Sequence, residues 1–67
     1  MNIKHAAMLY VVAEHELENW IWKIIAIFQE DEIQLVQTIS TNEMFLSYDE
    51  AMQDGQYWCG LFLASSV

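Results

Sequence analysis

Basic residues are almost absent from this sequence. Of its 67 residues, Lys4 and Lys23 are the only lysines, none is arginine, and ten are aspartate or glutamate, which gives a formal net charge of -8 at pH 7. Proteins bind the phosphates of nucleic acids and anionic lipids mainly through Lys and Arg side chains. The composition therefore argues against nucleic acid or an anionic membrane as a direct partner.

Cysteines are equally scarce. Cys59 is the single cysteine, so no disulfide forms within the chain, and the sequence has no Cys/His cluster for zinc. A chain this short buries only about 60% of the surface that its unfolded form exposes. Small domains of this kind are usually reinforced by disulfides, a metal or oligomerisation. We therefore expect oligomerisation or a partner protein, and no metal or cofactor.

Long apolar runs are missing too. Lys23 interrupts the stretch from Trp20 to Phe28, and no run approaches the roughly 18 residues that span a bilayer. We expect a soluble protein that begins at its mature N-terminus. A single cysteine fits a reducing compartment, so the expected location is the cytoplasm.

No catalytic motif is present. The sequence has no Gly-rich phosphate loop and no Ser/His/Asp constellation. His15 begins a segment similar to the zinc-protease helix motif, but Asn19 stands where the second His is required. Cys59 has no base nearby in sequence, which favours a buried position on a helix over a nucleophile. We predict no catalytic residue, no metal ligand and no enzymatic activity.

Ser47-Tyr48-Asp49-Glu50 predicts the start of a helix. In a capping box the Ser47 hydroxyl accepts from the N3 amide, while the Glu50 carboxylate accepts from the amide of the cap residue. Downstream, apolar residues recur at three- and four-residue spacing and predict a stripe along about four turns of helix. The stripe comprises Tyr48, Ala51, Met52, Gly55, Trp58, Cys59 and Phe62.

Asp54-Gly55 leaves two interpretations of this segment. A glycine inside a helix costs about 1 kcal/mol, and the same dipeptide is a good turn. The helix then stops at Gly55, and residues 56–64 form a strand. We favour a continuous helix, because Gly55 falls on the apolar stripe, where a missing side chain permits close packing.

Two segments rich in β-branched and aromatic residues predict a β-hairpin. Trp20 to Phe28 and Ile33 to Ser40 flank the polar tetrapeptide Gln29 to Glu32, as strands flank a turn. The second strand alternates: one face carries Ile33, Leu35 and Ile39, and the other carries Gln34 and Thr38.

The N-terminal segment admits a strand or a helix. Met8 to Ala13 has strand character, whereas Ile3, Ala7, Tyr10, Glu14 and Leu17 trace a helical stripe. We favour a strand, because an isolated two-stranded hairpin is marginal and a third strand makes a better platform for the helix. Residues 14–19 are then the connecting turn, with three exposed glutamates. The prediction is a single α+β domain over residues 1–67, with a three-stranded antiparallel meander packed against one C-terminal helix (βββα).

The first hairpin strand is apolar on both faces. One face carries Trp20, Trp22, Ile24, Ala26 and Phe28, and the opposite face carries Ile21, Ile25 and Ile27 with only Lys23 among them. One helix covers only one face of a sheet, and monomers seldom leave a large apolar patch in water. We predict a homodimer through Ile21, Ile25 and Ile27. In the alternative, the N-terminal segment folds back as a helix over this face.

A sequence pattern in the centre of the chain resembles a known type of module. Trp20-x-Trp22-x-Ile24, the second strand, and Phe45-x-Ser47-x-x-Glu50-Ala51 resemble the small hairpin-plus-helix modules of uncharacterised bacterial proteins. The resemblance covers about residues 8–56. It implies a fold and a tendency to pair in twos, with no activity. The chain lacks the glycine turn of that pattern and has Gln29 to Glu32 instead.

The carboxylates suggest a partner. They occur as Glu14, Glu16 and Glu18, then Glu30, Asp31 and Glu32, then Glu43, and finally Asp49, Glu50 and Asp54. Clustered anions complement a basic cleft as duplex phosphates do. In overall character the chain is similar to phage and prophage inhibitors of host defence, including anti-CRISPR and anti-restriction proteins. This similarity implies a nucleic-acid mimic that binds a basic, nucleic-acid-handling protein. We expect Glu30, Asp31 and Glu32 to lead the contact, with Glu14, Glu16 and Glu18 in support.

Two further hypotheses stay open. In the first, the apolar surface is the functional one, the protein is a homodimeric structural or assembly module, and its charge serves only solubility. In the second, Trp20, Trp22 and Trp58 line a pocket for a small molecule.

Overall fold

A three-stranded meander carries the single long helix of the chain. The computed structural model describes residues 2–65, in which a 3-10 turn (Ile3–His5) precedes β1 (Met8–Glu16), β2 (Asn19–Glu30), β3 (Ile33–Ser40) and α1 (Tyr48–Ser65). The strands are antiparallel in the order β1-β2-β3. The predicted βββα architecture is confirmed, including the strand interpretation of the N-terminal segment.

Both hairpins close through two-residue turns. Leu17 and Glu18 join β1 to β2, and Asp31 and Glu32 join β2 to β3. The predicted turn over residues 14–19 is too long, because Glu14 and Glu16 extend β1, where a strand end in water accommodates exposed polar side chains. Leu17 and Asp31 each have φ 56°. Two-residue turns need such a φ at their first central position, which glycine usually occupies.

β2 is buried on one face only. Its alternate residues Trp22, Ile24, Ala26 and Phe28 are 0–5% exposed beneath α1. Their neighbours Ile21, Ile25 and Ile27 are half-buried on the opposite face of the sheet. We call these two surfaces the covered face and the open face. The predicted assignment of β2 residues to two faces is confirmed.

The helix begins where the capping box predicts. The Glu50 N–H donates to Ser47 Oγ at 3.2 Å, as expected. The reciprocal bond differs from the prediction, because a Glu50 carboxylate oxygen accepts from the Leu46 N–H at 3.4 Å and not from the Ser47 N–H. The Ser47 hydroxyl therefore caps the helix, while the Glu50 carboxylate holds Leu46, the residue before the cap.

Small residues bring α1 close to the sheet. Ala51, Gly55 and Cys59 are buried, whereas Tyr48 and Trp58 are 49% and 40% exposed, so the predicted stripe is narrower than its sequence suggests. The helix continues through Gly55, and the alternative strand over residues 56–64 is wrong. A Cβ at Gly55 would stand 2.7 Å from Val11 Cγ1 and 2.9 Å from Trp22 Cβ. The missing side chain therefore sets the distance between helix and sheet.

The N-terminal turn extends the core without covering the open face. Ile3 is 6% exposed and clusters with Ala26 and Phe28, against which Phe62 of α1 also packs. The turn therefore lies on the same face as the helix. The alternative in which the N-terminal segment forms a helix over the open face is wrong, and within residues 2–65 no element covers that face.

Candidate protein-binding surfaces

The two predicted acidic clusters lie at opposite ends of the sheet. Glu14, Glu16 and Glu18 surround the β1-β2 turn, and Glu30, Asp31 and Glu32 form the β2-β3 turn. The twelve residues of β2 separate them, which at about 3.3 Å per residue is roughly 36 Å. The longest dimension of the molecule is 41 Å. The clusters therefore belong to separate surfaces.

The β1-β2 turn gathers further carboxylates around it. Trp20 and Phe45 exchange two backbone hydrogen bonds of 2.8 Å, which hold the loop of residues 41–47 and the start of α1 against this end. Asn19 Nδ2 also donates to Met44 Sδ at 3.6 Å. We call the resulting surface the acidic end. Seven of the ten carboxylates in the chain lie toward this end, and one of them, Glu14, forms an ion pair with Lys23 on the open face. The seven are Glu14, Glu16, Glu18, Glu43, Asp49, Glu50 and Asp54.

Three apolar side chains stand among these carboxylates. Leu17 is 89% exposed, Leu46 is 81% exposed and Met44 is 60% exposed. Leu17 is also held with positive φ at the tip of its hairpin, between Glu16 and Glu18. Protein interfaces commonly combine apolar contact residues with a polar rim. The acidic end has this combination.

An open hollow of about 420 Å³ lies beside the helix at the same end. Phe45, Glu50, Gln53, Asp54 and Tyr57 line it. The hollow thus offers two carboxylates and two aromatic rings, a combination that suits a guanidinium or ammonium group through charge-assisted hydrogen bonds and cation-π contact.

A buried contact fixes one of the carboxylates of the hollow. The indole Nε1–H of Trp22 donates to Asp54 Oδ2 at 2.8 Å, and the Trp22 side chain is 4% exposed. A hydrogen bond to a charged acceptor is worth roughly 1.5–3 kcal/mol. Asp54 therefore has a defined position at the edge of the hollow, which sequence reasoning missed because the partners are 32 residues apart.

The histidines and tryptophans have structural surroundings. The His15 ring stacks on Trp20 with centroids 4.6 Å apart, and Tyr48 meets Trp20 edge-on at 5.5 Å. Trp58 lies instead beside Phe62, with 6.1 Å between the ring centroids, and Trp22 is in the core. Trp20 and Trp22 share the covered face of β2, and the pocket predicted from the three tryptophans stays a prediction. Among residues 2–65 no three His, Cys, Asp or Glu side chains are grouped to hold a metal ion.

Cys59 is a core residue. It is 8% exposed and clusters with Trp22 and Ile24 under the helix, as its position on the apolar stripe predicts. Burial raises the pKa of its thiol. A nucleophilic cysteine needs the opposite shift, because the thiolate is the reactive form.

The open face is the second candidate surface. Strand pairing brings Tyr10 beside Ile25, and both Met8 and Val36 beside Ile27. Met8, Tyr10 and Val36 are 41–63% exposed. Lys23 lies on this face and forms an ion pair with Glu14. Of the predicted dimer residues, Ile25 and Ile27 therefore lie among apolar side chains, whereas Ile21 lies beside Glu14.

Comparisons with known proteins place the chain in no group. No family model, curated protein or solved structure matches it. In the part of the chain that the structure describes, no helix is long and apolar enough to cross a membrane.

Proposed function

We propose that this protein is a non-enzymatic inhibitor that binds a basic, nucleic-acid-handling protein through its acidic end, in the manner of anti-CRISPR or anti-restriction nucleic-acid mimics. One observation carries the proposal. Seven carboxylates and three exposed apolar side chains share one end of a chain whose net charge is -8. This charge favours the partner class, because a large basic patch on a protein is typical of nucleic-acid binding.

The two components of the acidic end have different roles. Its carboxylates attract a basic surface over about a Debye length, roughly 8–10 Å at physiological salt, and so accelerate encounter. Leu17 and Leu46 contribute apolar contact that salt does not screen. The hollow beside Glu50 and Asp54 accepts an Arg or Lys of the partner. Binding is therefore expected to weaken with salt and to be displaced by DNA or RNA.

Glu30, Asp31 and Glu32 stay predicted contacts of a separate surface. They lie at the opposite turn, away from the apolar side chains of the acidic end. A partner that extends along the full length of the sheet would contact both the acidic end and the Glu30–Glu32 turn. A partner that docks on the acidic end alone does not need them.

The test uses two matched charge reversals. One variant carries Glu16→Lys, Glu18→Lys and Glu43→Lys, and the other carries Glu30→Lys, Asp31→Lys and Glu32→Lys, so both change the net charge equally. Tagged wild-type and variant proteins are incubated with purified DNA- and RNA-guided nucleases, and bound nuclease is measured across salt steps. The acidic end is supported if the wild type captures a nuclease and the first variant captures at least tenfold less of it than the second variant does. Equal loss in both shows that only net charge matters, and unchanged capture by the first variant contradicts the proposal.

The open face supports a second candidate function. Here the protein is a homodimeric assembly module, and Ile21, Ile25 and Ile27 form the interface. The observation that favours it is an apolar sheet face that no element within residues 2–65 covers. Ile25→Asn with Ile27→Asn then abolishes function and halves the mass by light scattering, whereas the carboxylate reversals are nearly silent. A dimer that survives both asparagines contradicts this interface.

A further inference from the structure

The two edges of the sheet differ in their charge. β1 ends with Glu14 and Glu16, and charged side chains on an edge strand oppose pairing with another strand. β3 reads Ile-Gln-Leu-Val-Gln-Thr-Ile-Ser from Ile33 to Ser40 and has no charged residue, no proline and no glycine. Among residues 2–65 no strand pairs with its outer edge. The β3 edge is therefore the unprotected edge.

The hydrogen-bonding pattern shows which backbone groups this edge presents. Thr41 N–H donates to the Trp22 carbonyl at 3.2 Å, and these residues continue the β2-β3 register. In an antiparallel ladder every second residue bonds to the same neighbour. Odd-numbered residues of β3 therefore bond to β2. The N–H and C=O groups of Gln34, Val36, Thr38 and Ser40 point outward.

Side chains of β3 are also exposed on both faces. Ile33 is 62% exposed and Leu35 is 40% exposed on the covered face, while Val36 is 63% exposed on the open face. The cause is the position of α1, which packs over β1 and β2. The strand thus has unburied apolar surface next to its outward backbone groups.

We propose that the outer edge of β3 pairs antiparallel with β3 of a second copy across a two-fold axis at Val36, so that two chains form one six-stranded sheet. The inference is independent of the proposed function and uses a surface other than the Ile21, Ile25 and Ile27 interface. Charge selects the direction, because parallel pairing would place the two Glu30–Glu32 turns side by side. Antiparallel pairing separates them.

Charge and side-chain pairing together favour one register. A two-fold axis normal to the sheet sets one residue opposite its own copy. With Val36 on the axis, residues 30–32 of one chain lie opposite residues 40–42 of the other, Ser-Thr-Asn, which are uncharged. With Gln37 on the axis, Asp31 would face Glu43. The Val36 register also sets Ile33 against Ile39 of the second copy, a favourable pair of β-branched side chains.

The pairing has a consequence for the two faces. A two-fold axis normal to the sheet keeps both helices on the same side. The open faces of the two chains then lie on the same side of one six-stranded sheet. Edge pairing therefore leaves the face-to-face interface available.

Single cysteines test the register. In a Cys59→Ala background, Val36→Cys places two thiols on the axis, where the Cα atoms of a hydrogen-bonded pair are about 5.5 Å apart, inside the roughly 4.4–6.8 Å range of disulfides. The matched control is Gln34→Cys, which lies four residues from its own copy, or about 14 Å along the strand. Oxidised glutathione should cross-link the first variant at least tenfold faster than the second. Equal rates, or no covalent dimer from either variant, overturn the proposal.

A backbone substitution tests the edge without a change of charge. Thr38→Pro removes one outward N–H and leaves the bonds to β2 in place, and an edge strand tolerates proline. Thr38→Val keeps that N–H. By light scattering, Thr38→Val should keep the mass of the wild type, and Thr38→Pro should have half that mass with an unchanged circular dichroism spectrum. A wild type with the 7.9 kDa mass of one chain, or a folded Thr38→Pro with the mass of the wild type, overturns the proposal; if Thr38→Pro does not fold, the cross-linking rates decide.

Discussion

The two faces of β2 are nearly equal in hydrophobicity and very unequal in burial. Ile24, on the covered face, is 0% exposed, whereas its neighbour Ile25, on the open face, is half-buried. The complete burial of Ile24 is due to a single helix that has small residues on its inner surface. The difference shows that the hydrophobicity of a strand does not report how much of it one chain can bury. The open face keeps apolar surface that no element within residues 2–65 covers.

Truncation of each isoleucine in turn tests the difference in burial between the two faces. We expect Ile24→Ala to lower the free energy of unfolding by roughly 2–5 kcal/mol, because a fully buried side chain leaves a cavity. Ile25→Ala should cost less in the monomer, since Ile25 is only partly buried and no helix packs on it. Urea denaturation at low protein concentration measures both. Equal losses would show that the open face is buried in solution.

The closeness of the helix to the covered face is tested by a pair of glycines. Gly55→Ala should destabilise the protein by about 1–2 kcal/mol, because overpacking costs roughly 1–3 kcal/mol and outweighs the gain in helix propensity. Gly60 has no atom within 4 Å of an added Cβ. Gly60→Ala should therefore stabilise by up to about 1 kcal/mol. Thermal unfolding of the two variants gives the signs, and a stabilising Gly55→Ala would contradict the close contact.

Glycine substitutions in the two hairpin turns should change the free energy of unfolding by a smaller amount. A non-glycine residue in the left-handed region costs roughly 1–2 kcal/mol. Substitution by glycine removes this strain, but part of the gain in stability is offset because glycine makes the unfolded chain more flexible. We expect Leu17→Gly to raise the free energy of unfolding by about 0.5–1 kcal/mol. Asp31→Gly should gain less, because Asp tolerates this conformation. Chemical denaturation distinguishes them, and an Asp31→Gly gain above that of Leu17→Gly would contradict the explanation.

The smallest expected effect concerns pH. The pKa of Cys59 is raised in the folded protein by burial, so the unfolded chain ionises first as pH rises. Its contribution to stability is therefore complete below the ordinary thiol pKa and is lost as pH rises through the folded value. The difference in unfolding free energy between wild type and Cys59→Ala should shrink across this range in urea titrations. A difference that grows with pH would contradict burial on the covered face.

Much of the fold follows from local pattern. β-Branched and aromatic residues predict the strands of the hairpin, and Ser47 predicts the first turn of the helix. Gly55 is placed correctly because a glycine on an apolar stripe indicates close packing. The β1-β2 turn was predicted too long, since Glu14 and Glu16 resemble loop residues when strand pairing is not known.

The candidate site was harder to predict because it is assembled across the chain. The acidic clusters were recognised, but the order of a meander puts consecutive turns at opposite ends. Leu17 has no sequence signal as an exposed residue, because only its positive φ at the hairpin tip forces it outward. The grouping of Glu43 and Asp49 with the first turn depends on the Trp20 and Phe45 bridge.

The position of Lys23 makes the sheet easy to follow by proteolysis. It lies in the middle of β2, opposite Val12 on one side and Ser40 on the other, and trypsin can cut after it only when the strand leaves both neighbours. Lys4, in the N-terminal turn, is the only other site for trypsin in the sequence. A single cleavage therefore separates β1 from β3 and leaves residues 24–67 as one fragment. The rate at which that fragment accumulates therefore measures how often the sheet opens at β2.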